Sequence, residues 1–382
     1  MLYSPAFFAL YTANLAIVAS FTCYFLFPLY VTSHGGDSTE IGVLMGVFAL
    51  ASALCRPWIS PLIDRFGRKS CLSTGCIIMA ALPLCYPLLD QSPLPLYSLI
   101  MLRMVHGVGM AVCFTSVFTF IADLVPAARL NEGIGLFGTS GLIGIAVGPS
   151  LAEWALLAGG FNGLFFASAL LAMLALIVHL PIKDRADRFI HQRSSAGFFQ
   201  LLRQPRYARV ALFAVLFGVG VSTTGNFIAP LCDERNLELV TPFFVSYSLA
   251  AIATRLFVGR LADRVGERCV LPWAFLVCAT GLLLVLPALN YLLLSLAGLV
   301  CGAGHGLLFP TLNTLAIRDV PADYRGRVTG IFTGAIDSGI FLGSIGLGAA
   351  ARLFPLSALF LISAALLLIA WGMAGRSHSG TT

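Results

Sequence analysis

The sequence has few charged side chains: Asp, Glu, Lys and Arg make up only 10% of its 382 residues, whereas 58% are apolar. A soluble globular domain carries about 25% charged residues, because its surface has to be solvated by water. The shortage excludes an ordinary soluble fold and indicates that lipid is the main solvent. A bilayer span takes roughly 20 mostly apolar residues, so the chain has room for about twelve spans and little else.

Motifs of common enzyme chemistries are also missing. The chain has no phosphate-binding G-x-x-x-x-G-K-[ST] loop, no H-E-x-x-H zinc motif and no G-x-S-x-G nucleophile elbow. Its ten cysteines form no C-x-x-C pair and no zinc-ligand spacing, so we expect no metal site. These absences predict a protein that is not an enzyme and needs no cofactor.

Apolar runs separated by clusters of Gly, Pro and charge predict an all-α membrane protein with twelve transmembrane helices. The predicted helices cover residues 6–30, 40–62, 70–89, 95–122, 131–156, 161–181, 208–231, 239–261, 269–288, 291–317, 326–350 and 354–375. The longest polar stretch lies between the sixth and the seventh. The predicted organisation is therefore an N-terminal six-helix bundle (1–182), a cytoplasmic linker (183–207) and a C-terminal six-helix bundle (208–382).

The basic residues are unevenly distributed over the predicted loops. With the N-terminus in the cytoplasm, 18 of the 23 Lys and Arg fall in cytoplasmic segments, and only Arg235 and Arg352 fall outside. Cytoplasmic loops of membrane proteins carry such an excess. The sequence thus predicts an integral protein of the bacterial inner membrane with both termini in the cytoplasm. The excess also accounts for the net charge of +6 without a nucleic acid partner.

An internal repeat joins the two halves. At an offset of 199 residues Arg56-(x7)-Asp64-Arg65-Phe66-Gly67 recurs as Arg255-(x7)-Asp263-Arg264-Val265-Gly266. At the same offset His106-Gly107 corresponds to His305-Gly306, so that Gly302 corresponds to Arg103. At an offset of 195 residues Gly144-(x3)-Gly148 meets Gly339-(x3)-Gly343. Secondary transporters are commonly built from such repeats, with the substrate site between them near the bilayer midplane.

The repeated loop motif resembles that of the major facilitator superfamily, and the resemblance covers nearly the whole chain. The run GRLADRVG at 259–266 matches that superfamily's loop between the second and third helices of a half, whereas the N-terminal copy has serine at position 60 in place of glycine. The resemblance implies cytoplasmic gating contacts, although a solvated turn with ordinary topogenic charges is the alternative. The implied gating residues are Asp64 with Arg325 or Arg327, Asp263 with Arg129, and the adjacent Arg65 and Arg264.

Arg103-(x2)-His106 in the fourth predicted helix resembles the superfamily's second motif. A charge in lipid costs ~2.5 kcal/mol or more, so Arg103 should face a wet cavity or a partner. The resemblance implies that Arg103 tunes the protonation of a nearby acid, and a hydrogen bond to backbone carbonyls is the alternative. Asp337, the most buried acid by its position, and Glu153 are the candidate coupling carboxylates. The alternative for Asp337 is a static pair with a neighbouring helix, and the alternative for Glu153 is an interfacial carboxylate. His106 is a further candidate for proton coupling, and its alternative is a hydrogen-bonded packing role.

Gly144-(x3)-Gly148-Pro149 in the fifth predicted helix resembles the superfamily's antiporter signature, although Ala152 and Glu153 replace the usual two glycines. Small residues four apart allow close helix packing, here and at Gly339 and Gly343. The resemblance implies export by antiport. Polar and aromatic side chains of other predicted helices are expected in the substrate cavity, with lipid contact as the alternative for the phenylalanines: Tyr11, Asn14, Phe21, Phe25, Phe114, Asn226, His305 and Asn313.

The leading interpretation is a secondary active transporter similar to the twelve-helix drug:proton antiporters. It would export a small amphipathic compound by alternating access, as a monomer whose partners are substrate, protons and membrane lipid. Residues 132–138 and 336–339 resemble the related metallophore exporters, which is one alternative. An uptake symporter for a sugar or organic acid is another, but it would have more polar side chains in helices one, four, seven and ten. A membrane-embedded enzyme would need a clustered nucleophile or metal set.

Overall fold

A computed structural model of the chain describes residues 4–89, 95–126, 129–183, 198–257, 265–318, 320 and 322–379, and all regular elements of this part are helical. We label the long helices in chain order. They are α1 Pro5–Ser33, α2 Ser38–Phe66, α3 Arg68–Leu89, α4 Pro95–Leu124, α5 (130–158), α6 (161–179), α7 Pro205–Glu234, α8 Thr241–Phe257, α9 Glu267–Leu284, α10 Tyr291–Ile317, α11 Ala322–Ala350 and α12 Leu356–Ser379.

Ten helical segments of the described part are long and apolar enough to cross a membrane. One of them contains both α5 and α6, which are separated by non-helical backbone at Gly159 and Gly160. Helix α8, described over 17 residues, completes the set of twelve. Of the predicted linker, residues 184–197 lie outside the described residues, and Phe198–Leu202 form a short helix before α7.

Glycine permits the turns between successive helices. Gly67 between α2 and α3 and Gly266 between α8 and α9 both have φ of 87°, and Gly160 between α5 and α6 has φ of 61°. These values lie in the left-handed region, where side chains with a Cβ are disfavoured. Both copies of the repeated loop motif therefore use glycine for the turn that follows.

The chain forms two compact units. Unit 1 comprises Met1–Tyr30 and Val47–Gln192, and unit 2 comprises Val31–Gly46 and Arg193–Thr382. The first turns of α2 thus belong to the same unit as α7–α12. The predicted boundaries at residues 183–207 stay a prediction.

The beginning of α2 is held against α11 within unit 2. Oδ1 of Asp37 accepts hydrogen bonds from the amides of Thr39 and Glu40, at 2.8 and 2.9 Å, and Oδ2 accepts one from Arg352 at 3.1 Å. The Glu40 amide foremost, and Arg352 after it, hold the pKa of the Asp37 carboxyl below its usual value. Gly42 packs against the backbone of α11. This exposed carboxylate thus both caps α2 and joins it to the end of α11.

Each unit contains a helix pair that approaches without side chains between the backbones. A Cβ on Gly148 of α5 would collide with Thr22 and the carbonyl of Ala19 in α1, and a Cβ on Gly144 would meet the same helix one turn earlier. In unit 2, Cβ atoms on Gly339 and Gly343 of α11 would collide with α7 in the same manner. The hydroxyl of Thr22 donates to the carbonyl of Gly144 at 3.0 Å. Close packing of α1 with α5, and of α7 with α11, therefore depends on glycine.

Two ion pairs, one in each unit, have opposite polarity. Nε of Arg68, at the start of α3, donates to Asp123 near the end of α4 at 2.7 Å. In unit 2, Arg318 after α10 donates to Glu267 at the start of α9, also at 2.7 Å. In both pairs the residue at the start of the helix, Arg68 of α3 or Glu267 of α9, has a buried side chain, and the side chain of its partner is about half exposed. The acid and the base have exchanged places between the repeats.

These contacts correct the predicted repeat. Arg68, Arg56 and Phe48 correspond to Glu267, Arg255 and Tyr247 at an offset of 199 residues, whereas their contacts in α4 and α10 correspond at 195 residues. The matched contacts are Asp123 with Arg318, Phe114 with Phe309, and Gly107 with Gly302. The predicted equivalence of His106 with His305 is therefore wrong, because the sequence separation between the paired residues Arg68 and Asp123 is four residues longer than that between Glu267 and Arg318. His106 corresponds to Cys301, and Arg103 to Gly298.

We expect Gly148→Ala to lower the stability of the protein by about 1–3 kcal/mol, because the added methyl group forces α5 away from α1. The measurement is thermal unfolding of the detergent-solubilised protein. Gly135→Ala is the matched control in the same helix, since no atom lies near its Cβ position. Equal stability of the two variants would contradict the close approach of α1 and α5.

We expect Arg68→Glu to destabilise the protein by about 1–3 kcal/mol, since it leaves Asp123 beside a like charge. The double variant Arg68→Glu/Asp123→Arg should recover most of this loss, because unit 2 already holds the reversed pair in the same place. Arg129→Gln, which breaks the exposed pair with Glu132, should cost less than about 1 kcal/mol. Stability is measured by thermal unfolding. A double variant that loses as much stability as the two single variants together would show that unit 1 cannot accept the reversed ion pair.

Candidate functional site

An arginine surrounded by aromatic rings lies inside unit 1. The Cζ atom of Arg103 in α4 lies 4.5 Å from the ring centre of Phe48, 4.9 Å from that of Tyr24 and 5.3 Å from that of Phe27. The side chain is fully buried. A desolvated guanidinium over aromatic faces gains ~2 kcal/mol per favourable contact, which offsets part of the cost of burial. We call Arg103, His106, Tyr24, Tyr86, Phe27, Phe48 and Phe165 the arginine cluster.

His106 follows Arg103 by one turn and is also fully buried. Its ring lies 4.8 Å from that of Tyr24 and 5.5 Å from that of Phe48, nearly perpendicular to both. Both ring nitrogens lack a hydrogen-bond partner within the described part of the chain. Buried polar atoms without partners are rare in proteins and are frequent at functional sites. The imidazole is therefore the chemically least satisfied group of the arginine cluster.

The surroundings of Arg103 bear on the expectation that its charge faces a wet cavity or a partner. The guanidinium is fully buried, and its partners include the faces of aromatic rings. Tyr24, Tyr86 and Phe165 were not singled out by the sequence, because an aromatic residue in an apolar run looks like any lipid-facing one. Tyr86 stacks on Phe165 at 4.8 Å, which closes the arginine cluster on the α3 side.

Unit 2 has a cavity where unit 1 has the arginine cluster. Gly298 and Cys301 stand in the places of Arg103 and His106. Thr224 stands in the place of Tyr24, because the contacts of α7 with α11 match those of α1 with α5 at an offset of 200 residues. The smaller side chains leave a small cavity of about 20 Å³. The lining residues are Phe217, Gly220, Val221, Thr224, Tyr247, Cys278, Leu282, Cys301, His305 and Leu367.

A second group of aromatic and basic side chains extends from this cavity along α8 and α10. The hydroxyl of Tyr247 is hydrogen-bonded to Nδ1 of His305. The His305 ring stacks on Phe309 at 6.1 Å, with 9° between the planes, and Cζ of Arg255 lies over the Phe309 ring at 5.9 Å from its centre. We call these four residues the α8–α10 column. Sequence reasoning missed Tyr247 and Arg255, although an arginine within an apolar helix was a usable signal for the latter.

Three polar residues expected in a substrate cavity make hydrogen bonds between helices. Tyr11 is bonded to Thr139 at 2.9 Å and Asn14 donates to Ser140 at 2.7 Å, both between α1 and α5. Asn226 donates to Ser344 at 2.7 Å, between α7 and α11. Their place in a cavity stays a prediction, and so does that of Asn313, which is half-buried.

The phenylalanines of the predicted cavity belong to aromatic clusters of unit 1. Phe21 stacks on Phe48 at 5.2 Å and meets Phe25 at 5.7 Å. Phe114 lies under the guanidinium of Arg56 at 5.8 Å and against Phe118 at 4.6 Å. Phe21 therefore touches the wall of the arginine cluster through Phe48. The contact with substrate is not tested by these distances and stays a prediction.

Burial reverses the expected ranking of the acids. Asp337 of α11 is half-buried, whereas Glu153 of α5 and Glu267 of α9 are buried, with 7% and 4% of their surface exposed. The expectation that Asp337 is the most buried acid is wrong, because distance from the ends of an apolar run says nothing about which side of the helix a residue occupies. The coupling roles of Asp337 and Glu153 stay predictions.

Most of the predicted gate falls outside the described residues. This applies to Asp263 and Arg264, and to the side chains of Asp64 and Arg325. Arg129, just before α5, is paired with Glu132 in the first turn of that helix at 2.6 Å, and Arg65 lies over the ring of Phe66 at 5.2 Å. Arg327 is half-buried in α11. The gating pairs themselves stay predictions.

Long apolar helices that enclose buried arginine, histidine and tyrosine side chains define an integral membrane protein of the transporter class. The sequence pattern of the Major Facilitator Superfamily matches residues 9–344 and, in a second match, residues 243–376. The chain belongs to the Major Facilitator Superfamily. It is therefore a transporter of small molecules and not an enzyme, and its helices form the two-bundle fold of that family.

Curated relatives are similar at low identity. An uncharacterised MFS-type transporter of Methanocaldococcus jannaschii is 22% identical over 89% of each chain. Multidrug resistance protein 2 of Bacillus subtilis is 24% identical over 62% of this chain and 60% of its own length. Multidrug resistance protein MdtG of Serratia proteamaculans is 23% identical over 72% of this chain and 67% of its own length.

Solved structures share the fold over nearly the whole chain. The nucleoside transporter NupG superposes with a TM-score of 0.77 at 14% identity, over 97% of this chain and 99% of its own. The human organic anion transporter MFSD10 gives 0.73 at 16% identity, over 97% and 99% of the two chains. At this identity the likeness concerns the fold alone, and it confirms the predicted all-α fold class.

We expect Arg103→Lys to lower stability more than Arg103→Met does. Lysine keeps the charge, but its strongly hydrated ammonium cannot lie flat against three rings, whereas methionine removes the buried charge and fills the space. Thermal unfolding of the solubilised variants tests this order. A lysine variant as stable as the wild type, together with an unstable methionine variant, would mean that the cluster requires the charge rather than the planar group.

Proposed function

We propose that the chain is a proton-coupled antiporter that exports small amphipathic compounds by alternating access. It works as a monomer in the bacterial inner membrane, with both termini in the cytoplasm, and its partners are the substrate, protons and membrane lipid. Export, antiport and proton coupling each go beyond the established class of small-molecule transporter, and each rests on its own observation.

The export of amphipathic compounds is supported by the relatives. Two of them are named multidrug resistance proteins, with 23–24% identity over more than half of this chain. An exporter of lipophilic compounds needs few polar groups in its helices, and only 10% of this chain is charged. An uptake symporter for a sugar or an organic acid would need more amide and charged side chains to replace the water around its substrate.

Antiport is supported by the fifth helix, and this is the observation that carries the proposal. Gly144 and Gly148, followed by Pro149, are where α5 meets the backbone of α1. Small residues at such a crossing allow two helices to pack without intervening side chains. In the superfamily that the sequence resembles, this combination in helix five accompanies export by antiport.

Proton coupling is supported by the buried polar groups. Arg103 and His106 lie one turn apart in α4, both fully buried, and neither ring nitrogen of His106 has a hydrogen-bond partner among the described residues. Glu153 and Asp337 are acids inside apolar helices, where an ionisable group is a functional candidate by default. In the proposed exchange, one of these carboxylates binds a proton as the substrate is released.

The proposal is tested in inverted membrane vesicles whose lumen has been acidified by respiration. Addition of tetraphenylphosphonium or of naphthalene-1-sulfonate, as amphipathic probes of either charge, should release protons from the lumen, followed with a pH-sensitive dye. We expect Asp337→Asn to abolish this release, because the amide cannot carry a proton across. Asp233→Asn, at an exposed acid in the last turn of α7, is the control and should behave as the wild type.

The direction of the signal decides between the functions. Proton release on substrate addition supports antiport, whereas proton uptake would indicate a symporter. The absence of any response from vesicles that contain the folded protein would indicate a facilitator. Undiminished release by Asp337→Asn would remove that residue from the coupling step and leave Glu153, tested as Glu153→Gln, as the remaining carboxylate.

A further inference from the structure

The α8–α10 column of unit 2 presents a cation that the described structure leaves uncompensated. Nε of Arg255 is buried and has no hydrogen-bond partner, and no described carboxylate forms an ion pair with this guanidinium. A buried unsatisfied donor costs about 1–3 kcal/mol, more when it is charged. Arg56, the equivalent residue of unit 1, has a further interaction besides its contact with Phe114. The two repeats thus differ in how this arginine is satisfied.

Arg255 faces the inside of unit 2 rather than lipid. It continues the line of Phe244, Ser248 and Ala251, which are all buried and share one side of α8 by their spacing of three and four residues. Leu249 and Leu256 on another side of the same helix are exposed. Arg255 as a whole is half-buried, so part of the residue's surface stays exposed.

An aromatic surface adjoins this cation. The Phe309 ring lies beneath the guanidinium of Arg255, and the rings of Phe309 and His305 are stacked with nearly parallel planes. Phe332 of α11, itself buried, meets Phe309 at 5.4 Å, and the hydrogen bond from Tyr247 fixes the imidazole. The surface therefore offers the planar rings of Phe309 and His305 at one end and the guanidinium donors of Arg255 at the other. The four residues of the α8–α10 column include no acid.

We propose that Arg255 recognises the anionic group of the substrate, and that the substrates are amphipathic organic anions with an aromatic body and one carboxylate or sulfonate. A guanidinium binds such groups through two parallel N–H···O bonds, which an ammonium cannot imitate. The rings of Phe309 and His305 contact the aromatic body. This assignment gives the substrate class of the proposed exporter. That the bound anion is also transported rests on the proposed function, whereas its binding at Arg255 does not.

Equilibrium binding to the detergent-solubilised full chain tests the assignment without any ion gradient. The probes are naphthalene-1-carboxylate and naphthalene-1-carboxamide, which differ in charge but hardly in shape. The wild type should bind the carboxylate at least ~10-fold more tightly than the amide, or about 1.4 kcal/mol. Arg255→Gln should abolish this preference by weakening carboxylate binding, with amide binding unchanged. Arg255→Lys should restore part of it.

Arg352→Gln is the matched control, since it removes an exposed arginine of the same unit and should keep the full preference. A wild type without preference for the carboxylate, or an Arg255→Gln variant that retains it, overturns the assignment. Thermal unfolding of each variant confirms that loss of binding is not loss of the fold. Anion preference without substrate-driven proton release would instead contradict the antiport mechanism and leave the binding site intact.

Discussion

The structure depends on backbone contact between helices at positions without side chains. In lipid the helices gain little from burying apolar surface, so close packing and polar contacts have to hold them together. At Gly148 and Gly339 the neighbouring backbone occupies the space of a Cβ atom. This proximity brings Thr22 to the carbonyl of Gly144 and lets Asn14 reach Ser140. The polar contacts of α1 with α5 therefore follow from the glycine spacing.

The same architecture, used twice, has been filled in two different ways. Unit 1 places Arg103, His106 and Tyr24 in its interior, whereas unit 2 has smaller residues there and keeps a cavity next to the α8–α10 column. The ion pairs at the starts of α3 and α9 likewise keep their place and exchange their charges. A duplicated fold thus preserves positions and backbone approach, while the side chains diverge to give each unit its own electrostatic character.

That divergence bears on the two proposals. Arg103 and His106 of the arginine cluster are fully buried, so a change of charge there would be costly. The α8–α10 column is partly accessible and lacks a carboxylate, as a site for an anion requires.

The sequence by itself determined the helix count, the membrane environment and the close helix packing at spaced glycines, because apolar run length, scarcity of charge and glycine spacing are local properties. It also located Arg103 and His106 as unusual. Only the tertiary structure decided that aromatic rings surround Arg103, that Asp337 is less buried than Glu153, and that His106 matches Cys301 rather than His305. The reason is that burial, partners and repeat register depend on which side of a helix meets its neighbour, and an almost uniformly apolar helix carries no periodic signal of that side.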